Sequence, residues 1–279
     1  MPRIANSRQG ESHLRMLRIV RRGDRHDPRD LTIAVHFEGA FTSAFTDGQA
    51  RGLPPGEAIK NLVHAAARQF GGREIEELGL AIAAQFIEGR RHISRVRVEI
   101  HERRWQRLEA GGKAQAQAFV AGSGERRIAV VTTNGEQTSV VGGITDLAVL
   151  RTAGFIPKDA RRDEDHAEGI QPLLVGSLSA RWTYTTGEVT FGVFRQGLRA
   201  AVLDTFAWHD SRSVQHALHA VGEVLLSTYQ EIAGVTLSFD ELPYRPADLF
   251  AAGTENPDEL FVVVEAPVGV VEITLEREA

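Results

Sequence analysis

Asp204–Leu226, DTFAWHDSRSVQHALHAVGEVLL, holds the plainest helix start in the chain. Val214, Leu218, Val221 and Leu225 recur at steps of four, three and four, an apolar stripe that an α-helix turns toward a core. Asp210, Ser211 and Ser213 supply side-chain oxygens for the unpaired N–H groups of the first turn. That leaves Gln215, next to the apolar Val214, with a carboxamide projecting past the helix end, where it can read the edge of a ligand.

Outward from this helix the pattern is regular. Upstream, Phe194–Phe206 reads as a second helix, and Leu178–Thr185 with part of Glu188–Val193 as strands. Downstream, Val235–Leu242 reads as a strand, and Leu260–Glu265 and Val270–Leu275 as a final strand pair around Pro267 and Gly269. The first half repeats the plan. Leu14–Val20 and Leu31–Gly39 predict a hairpin around RRGDRHDPRD, a charged, solvated turn. Glu57–Phe70 and Glu74–Glu88 predict two helices, the second with Ile75, Leu78, Ile82 and Phe86 on one face. Val96, Val98 and Ile100 then alternate with polar residues, as in a strand with one wet face. Gln115–Val120, Arg126–Thr133 and Thr138–Arg151 add strands, punctuated by Gly122-Ser123-Gly124 and Asn134-Gly135.

Two β-β-α-α-β-β halves predict an α+β fold of two tandem units, each an antiparallel sheet with a helix pair on one face. The run FIPKDARRDEDHAEG has dense mixed charge and no apolar period, so it reads as a linker. The predicted division is residues 1–153, a charged linker at 154–168, and residues 169–279. A half-chain of this size cannot cover both faces and the edges of its sheet, which predicts a homo-oligomer, a homotetramer foremost.

Composition narrows the chemistry. The formal net charge of −5 and the lack of a sustained Lys/Arg stripe argue against nucleic acid or an anionic membrane as partner. There is no cysteine, so disulfides, thiolate catalysis and Cys-based zinc sites are excluded. No apolar run approaches the roughly 20 residues that cross a bilayer, and a cytoplasmic location is the simplest expectation. G-x-G occurs only at Gly122-Ser123-Gly124, with no phosphate-loop lysine after it. His216, His219 and Glu223 lie at helical spacing but lack an HExxH pattern, so no metal site is predicted.

Six motifs in order resemble the uricases, the cofactor-independent urate oxidases. They are IKN at Ile59–Asn61, the HISRVRVEIHERRWQRLEAGGKAQAQAF stretch, GGITDLAVLRT, SARWTY, the S-x-S-V-Q helix start, and NPDELFVVVEAPVGVVEITLER. The resemblance covers nearly the whole chain. It implies the tunnelling fold (T-fold), in which two such units stand side by side and subunits close their sheets into a barrel, as a homotetramer or a homodimer of barrels. It also implies a planar heterocyclic ligand in an intersubunit pocket, with neither cofactor nor metal.

In that family an Arg and a Gln clamp the substrate under a stacked Phe, a Lys, a Thr and a His relay protons, and an Asn helps place dioxygen or water. Carried over position by position, the lysine becomes Glu11, the threonine Gly56, the asparagine Tyr244 and the histidine Pro246. The clamp arginine becomes Pro172, the stacking ring falls to Phe155 in shifted register, and Val214 and Gln215 match. The resemblance therefore leaves Glu11, Glu57 and Tyr244 as candidate acid/base residues, and Gln215, Val214 and Phe155 as candidate binding residues. Three readings stand at this point: a heterocycle-binding relative with altered chemistry in purine metabolism, a genuine urate oxidase, and a non-catalytic binding or assembly homologue.

Overall fold

A computed structural model of the chain describes residues 4–50, 52–71, 74–90, 92–152, 173–264 and 269–278. Two compact units divide it: Met1–Ile144 with Trp182–Phe194, and Thr145–Arg181 with Arg195–Ala279. The proposed linker at 154–168 lies outside the described residues.

In the first unit β1 (Arg8–Arg22) and β2 (Arg25–Gly39) form an antiparallel hairpin closed by Gly23 and Asp24. The run RRGDRHDPRD, expected to be a solvated turn, is therefore mostly strand. Pro28 stands opposite Ile19 and outside the Asp30–Gly39 stretch of β2 that pairs with the next strand, so its missing N–H costs that ladder nothing. There follow α1 (Thr42–Thr46), α2 (Gly56–Gln69), α3 (Ile75–Ile87), β3 (Ile93–Ala110), β4 (Lys113–Thr133) and the start of β5 (Thr138–Arg151). The strand order is β1-β2-β3-β4-β5. Strand β4 runs straight through Gly122-Ser123-Gly124, where a break was expected. A Cβ on Gly122 would meet the Arg104 carbonyl oxygen at 2.9 Å, beside a register shift between Arg103 and Trp105, so the glycine serves a bulge rather than a turn.

The second unit takes the rest of β5, most of β6 (Leu174–Tyr184) and of α4 (Phe191–Trp208), then α5 (Val214–Thr228) and β7 (Ile232–Glu241). Glu188–Val193 is not strand. The Glu188 N–H donates to Thr186 Oγ1 at 3.1 Å, a local turn, and α4 then opens at Phe191. The expected final strand pair also parts company. Short β8 (Tyr244–Pro246) pairs with β9 (Phe261–Val263), whereas β10 (Val270–Glu276) pairs antiparallel with β7. The register explains it: Val271, Ile273 and Leu275 stand opposite Phe239, Leu237 and Val235, so β10 extends a row that is already apolar.

Each unit buries the predicted stripes. In the first, Ile33, Val35, Val96, Val98, Ile100 and Val131 face Ile59, Val63, Leu78, Ile82 and Phe86, all nearly inaccessible. In the second, Val214, Leu218, Val221 and Leu225 of α5 are buried, as are Leu198, Val202 and Phe206 of α4. The first core also contains charge. Arg127, buried on β4, donates from Nη1 to Glu102 at 2.9 Å and from Nη2 to Glu74 at 2.5 Å and Glu76 at 3.3 Å, and Arg29 also pairs with Glu102. Those carboxylates hold the Arg127 guanidinium above its ordinary value although burial acts the other way.

On the opposite face of the sheet, Glu99 lies 2.9 Å from His101 Nε2 and 3.0 Å from Arg97 Nη2. The hydrogen bond from His101 is the main cause of a carboxyl lowered from 4.5 to about 2; burial opposes it and Arg97 reinforces it. A depressed carboxyl contributes stability that is complete above its unfolded value and is lost as pH falls through its folded one, here between 4.5 and about 2. An NMR titration of the Glu99 carboxyl carbon is expected to show a midpoint near 2. In His101→Ala the midpoint moves up, and an unmoved midpoint would remove His101 as the cause.

Candidate functional site

The residues picked from sequence fall into separate clusters. In the first unit Glu11 stands opposite Val35, and Leu14 opposite Ile33, with a register shift between Glu11 and Leu14. Residues three apart on a regular strand point to opposite faces. The extra residue here lets both Glu11 and Leu14 share the face of Val35 and Ile33, which looks toward the helices. His13 adopts φ 59° inside this bulge.

That placement brings the half-buried Glu11 carboxylate to the first turn of α2, where a Cβ on Gly56 would overlap Glu11 Oε1. The two residues are thus coupled by volume: glycine at 56 makes room for the carboxylate. A negative charge at the head of a 14-residue helix whose N-cap, Pro55, offers no side-chain acceptor is favourably placed. Glu57, one residue on, is exposed and lies 3.0 Å from Lys60 Nζ. Its hydrogen bond and charge raise the Lys60 ammonium, with Glu11 adding a smaller push.

In the second unit α5 begins as expected but with a different division of labour. Ser213, at φ −162° and ψ 167°, is the cap: its hydroxyl oxygen accepts the His216 N–H at 3.1 Å. Ser211 is instead buried against His209 Nδ1 at 2.8 Å, and His216 Nδ1 accepts the Arg212 N–H at 3.2 Å. The His209 and His216 rings meet edge to face at 4.9 Å. Gln215 is exposed in the first turn while its neighbour Val214 is buried. His219 pairs with Glu223 at 3.3 Å. Among the described residues no three His, Asp or Glu side chains gather as a metal site.

Tyr244 is half-buried at the start of β8, opposite Val263, and Pro246 ends the same strand. Phe155 and Pro172 lie outside the described residues. Sequence reading missed the β1 bulge and the Glu11–Gly56 coupling. Their only trace in the sequence is that an apolar alternation begins at Leu14, out of phase with Glu11.

Comparison with known proteins bears on these clusters together. A uricase family model matches residues 8–132 and 140–272. The uricase of Arthrobacter globiformis is 28% identical over 277 residues, covering 99% of this chain and 90% of that protein. The uricase of Dictyostelium discoideum is 26% identical over 282 residues, covering 99% and 98%. The crystal structure of the Arthrobacter globiformis uricase superposes with a TM-score of 0.89 over 100% of this chain and 96% of that one. A urate oxidase from Bacillus sp. TB-90, at 16% identity and a TM-score of 0.80, shares the fold. Among the described residues no helix is long and apolar enough to cross a membrane. With the antiparallel sheets, the paired helices and a match spanning nearly every residue, the chain belongs to the uricase family.

Proposed function

We propose that the protein binds a planar, purine-like heterocycle in an intersubunit pocket of a cytoplasmic homo-oligomer, and that its cofactor-independent acid/base or oxidase chemistry differs from urate oxidation. The observation that carries this reading is the Glu11 carboxylate at the head of α2, lodged in the space left by Gly56. An ammonium at that place donates hydrogen bonds and stabilises a substrate anion. A carboxylate accepts them and takes up a proton, which suits a ligand presenting N–H groups. Gln215, exposed in the first turn of α5, anchors the ring edge with Val214 behind it. Phe155 supplies the stacking ring, and Tyr244 a phenol. Glu57 is engaged with Lys60 and takes the smallest part.

A second reading, genuine urate oxidation, is favoured by the full-length match to relatives described as uricases. A thermal-shift panel of purines, pteridines and urate separates the two. A heterocycle with ring N–H donors other than urate is expected to stabilise the natural protein, with the shift lost in Gln215→Ala and reduced in Glu11→Gln. Stabilisation by urate alone, unchanged in Glu11→Gln, supports the second reading. No shift with any compound supports a non-catalytic assembly role.

A further inference from the structure

The face of the first sheet turned away from α2 and α3 carries a cationic basin. His36 alternates with the buried Val35 and Phe37, and Arg97 with the buried Val96 and Val98, so both side chains leave the core. Two rows of directly opposed residues build the basin: Arg8–Glu38–Arg95 across β1, β2 and β3, and Gly10–His36–Arg97–Thr132 across β1 to β4. Gly10 brings no side chain to the second row, and a Cβ there would run into the backbone of Val35. Arg8, His36, Glu38, Arg95, Arg97 and Thr132 line a cavity of about 170 Å³.

The charges there do not cancel. Glu38 lies 3.6 Å from Arg95, and Glu99 lies 3.0 Å from Arg97. Three guanidiniums against two carboxylates leave net positive charge, in a protein whose formal net charge is −5. The His36 ring registers it: the imidazole is lowered first by burial, then by Arg8 and Arg97, with Glu99 acting against them. Its Nε2 is 3.0 Å from Ser12 Oγ.

We infer that this basin binds a small oxyanion of the phosphate or carboxylate class, held by the Arg8 and Arg97 guanidiniums with the Thr132 hydroxyl as a further donor. A guanidinium presents paired N–H groups to two oxygens at once, a geometry suited to such anions. A nucleic-acid backbone is a poorer occupant, because it needs a continuous cationic track and Glu38 and Glu99 interrupt this one. The site is independent of Glu11, whose side chain leaves the other face of the sheet.

Calorimetric titration of the full chain in a low-salt zwitterionic buffer tests this, with inorganic phosphate and succinate added separately and sodium chloride of equal ionic strength as the blank. Saturable binding of phosphate, succinate or both is expected, and which of the two binds identifies the class. Arg8→Gln/Arg97→Gln weakens it by about tenfold or more, while Arg212→Gln, on the second unit, leaves it unchanged. Independently of any variant, saturating anion moves the NMR titration midpoint of the His36 ring upward. Heats no larger than the chloride blank, equal affinity in the double variant, or an unmoved His36 midpoint would overturn the assignment.

Discussion

Urate mixed with the purified protein under dioxygen is expected to be consumed at less than about 0.1 turnovers per second, against roughly 10 per second for a median enzyme. The positions that resemble the family's proton relay hold Glu11, Gly56 and Pro246, none of which repeats the chemistry of a lysine, a threonine or a histidine. A positioned acid or base is worth roughly 100- to 10,000-fold, and groups that act as a unit fail together when one is removed. Glu11 also reverses the charge that would face a urate anion, and Pro172 removes a guanidinium from the resembling clamp position. The loss of urate absorbance measures the rate directly. Turnover of about 1 per second or more would mean that other side chains perform the relay, and the altered-chemistry reading would fall with it.

The second large effect concerns stability. Arg127→Met should lower the unfolding free energy by about 3–5 kcal/mol, because it leaves Glu74, Glu76 and Glu102 around a buried site with one cation fewer. Methionine keeps much of the side-chain volume, so the loss reports charge rather than a cavity. Arg29 remains beside Glu102 and keeps that carboxylate paired. Urea denaturation at neutral pH gives the number. A change below about 1 kcal/mol would show that the cluster behaves like an exposed ion pair.

The fold was legible where one physical signal dominated. Val214, Leu218, Val221 and Leu225 were placed in the core by their spacing alone, and all four are buried. Thr138–Arg151 was found with its bounds intact, since Asn134-Gly135 marks the turn before it. Illegible features were those in which a residue type has two uses. Glycines at 122 and 124 read as a turn and serve a bulge. The charged run around Gly23 reads as loop and is two strand ends. Glu76 sits among helix formers, where a glutamate ordinarily faces water, and it is buried because Arg127 meets it from a strand 51 residues away. At the candidate site Gln215 and Ser213 were readable from helix-start chemistry. The Glu11–Gly56 coupling was not, because it depends on a β-bulge that turns one carboxylate to the other face of its strand.

The division of the chain also sets an order of events during synthesis. The first unit is not contiguous: it ends at Ile144 and resumes only with Trp182–Phe194. Those residues bring Trp182, buried next to Gly142, where a Cβ would lie 2.7 Å from the indole Nε1, and Phe191, whose ring meets Tyr184 at 5.0 Å. A ribosome elongating at roughly 5–20 residues per second needs about 2–7 seconds to add the intervening residues 145–181, about 37 of them. Through that interval the emerging chain holds an unfinished hydrophobic core, its Ile144 end still lacking the indole that covers it. Chaperone capture of nascent chains stalled between those two points is where this topology would show itself in a cell.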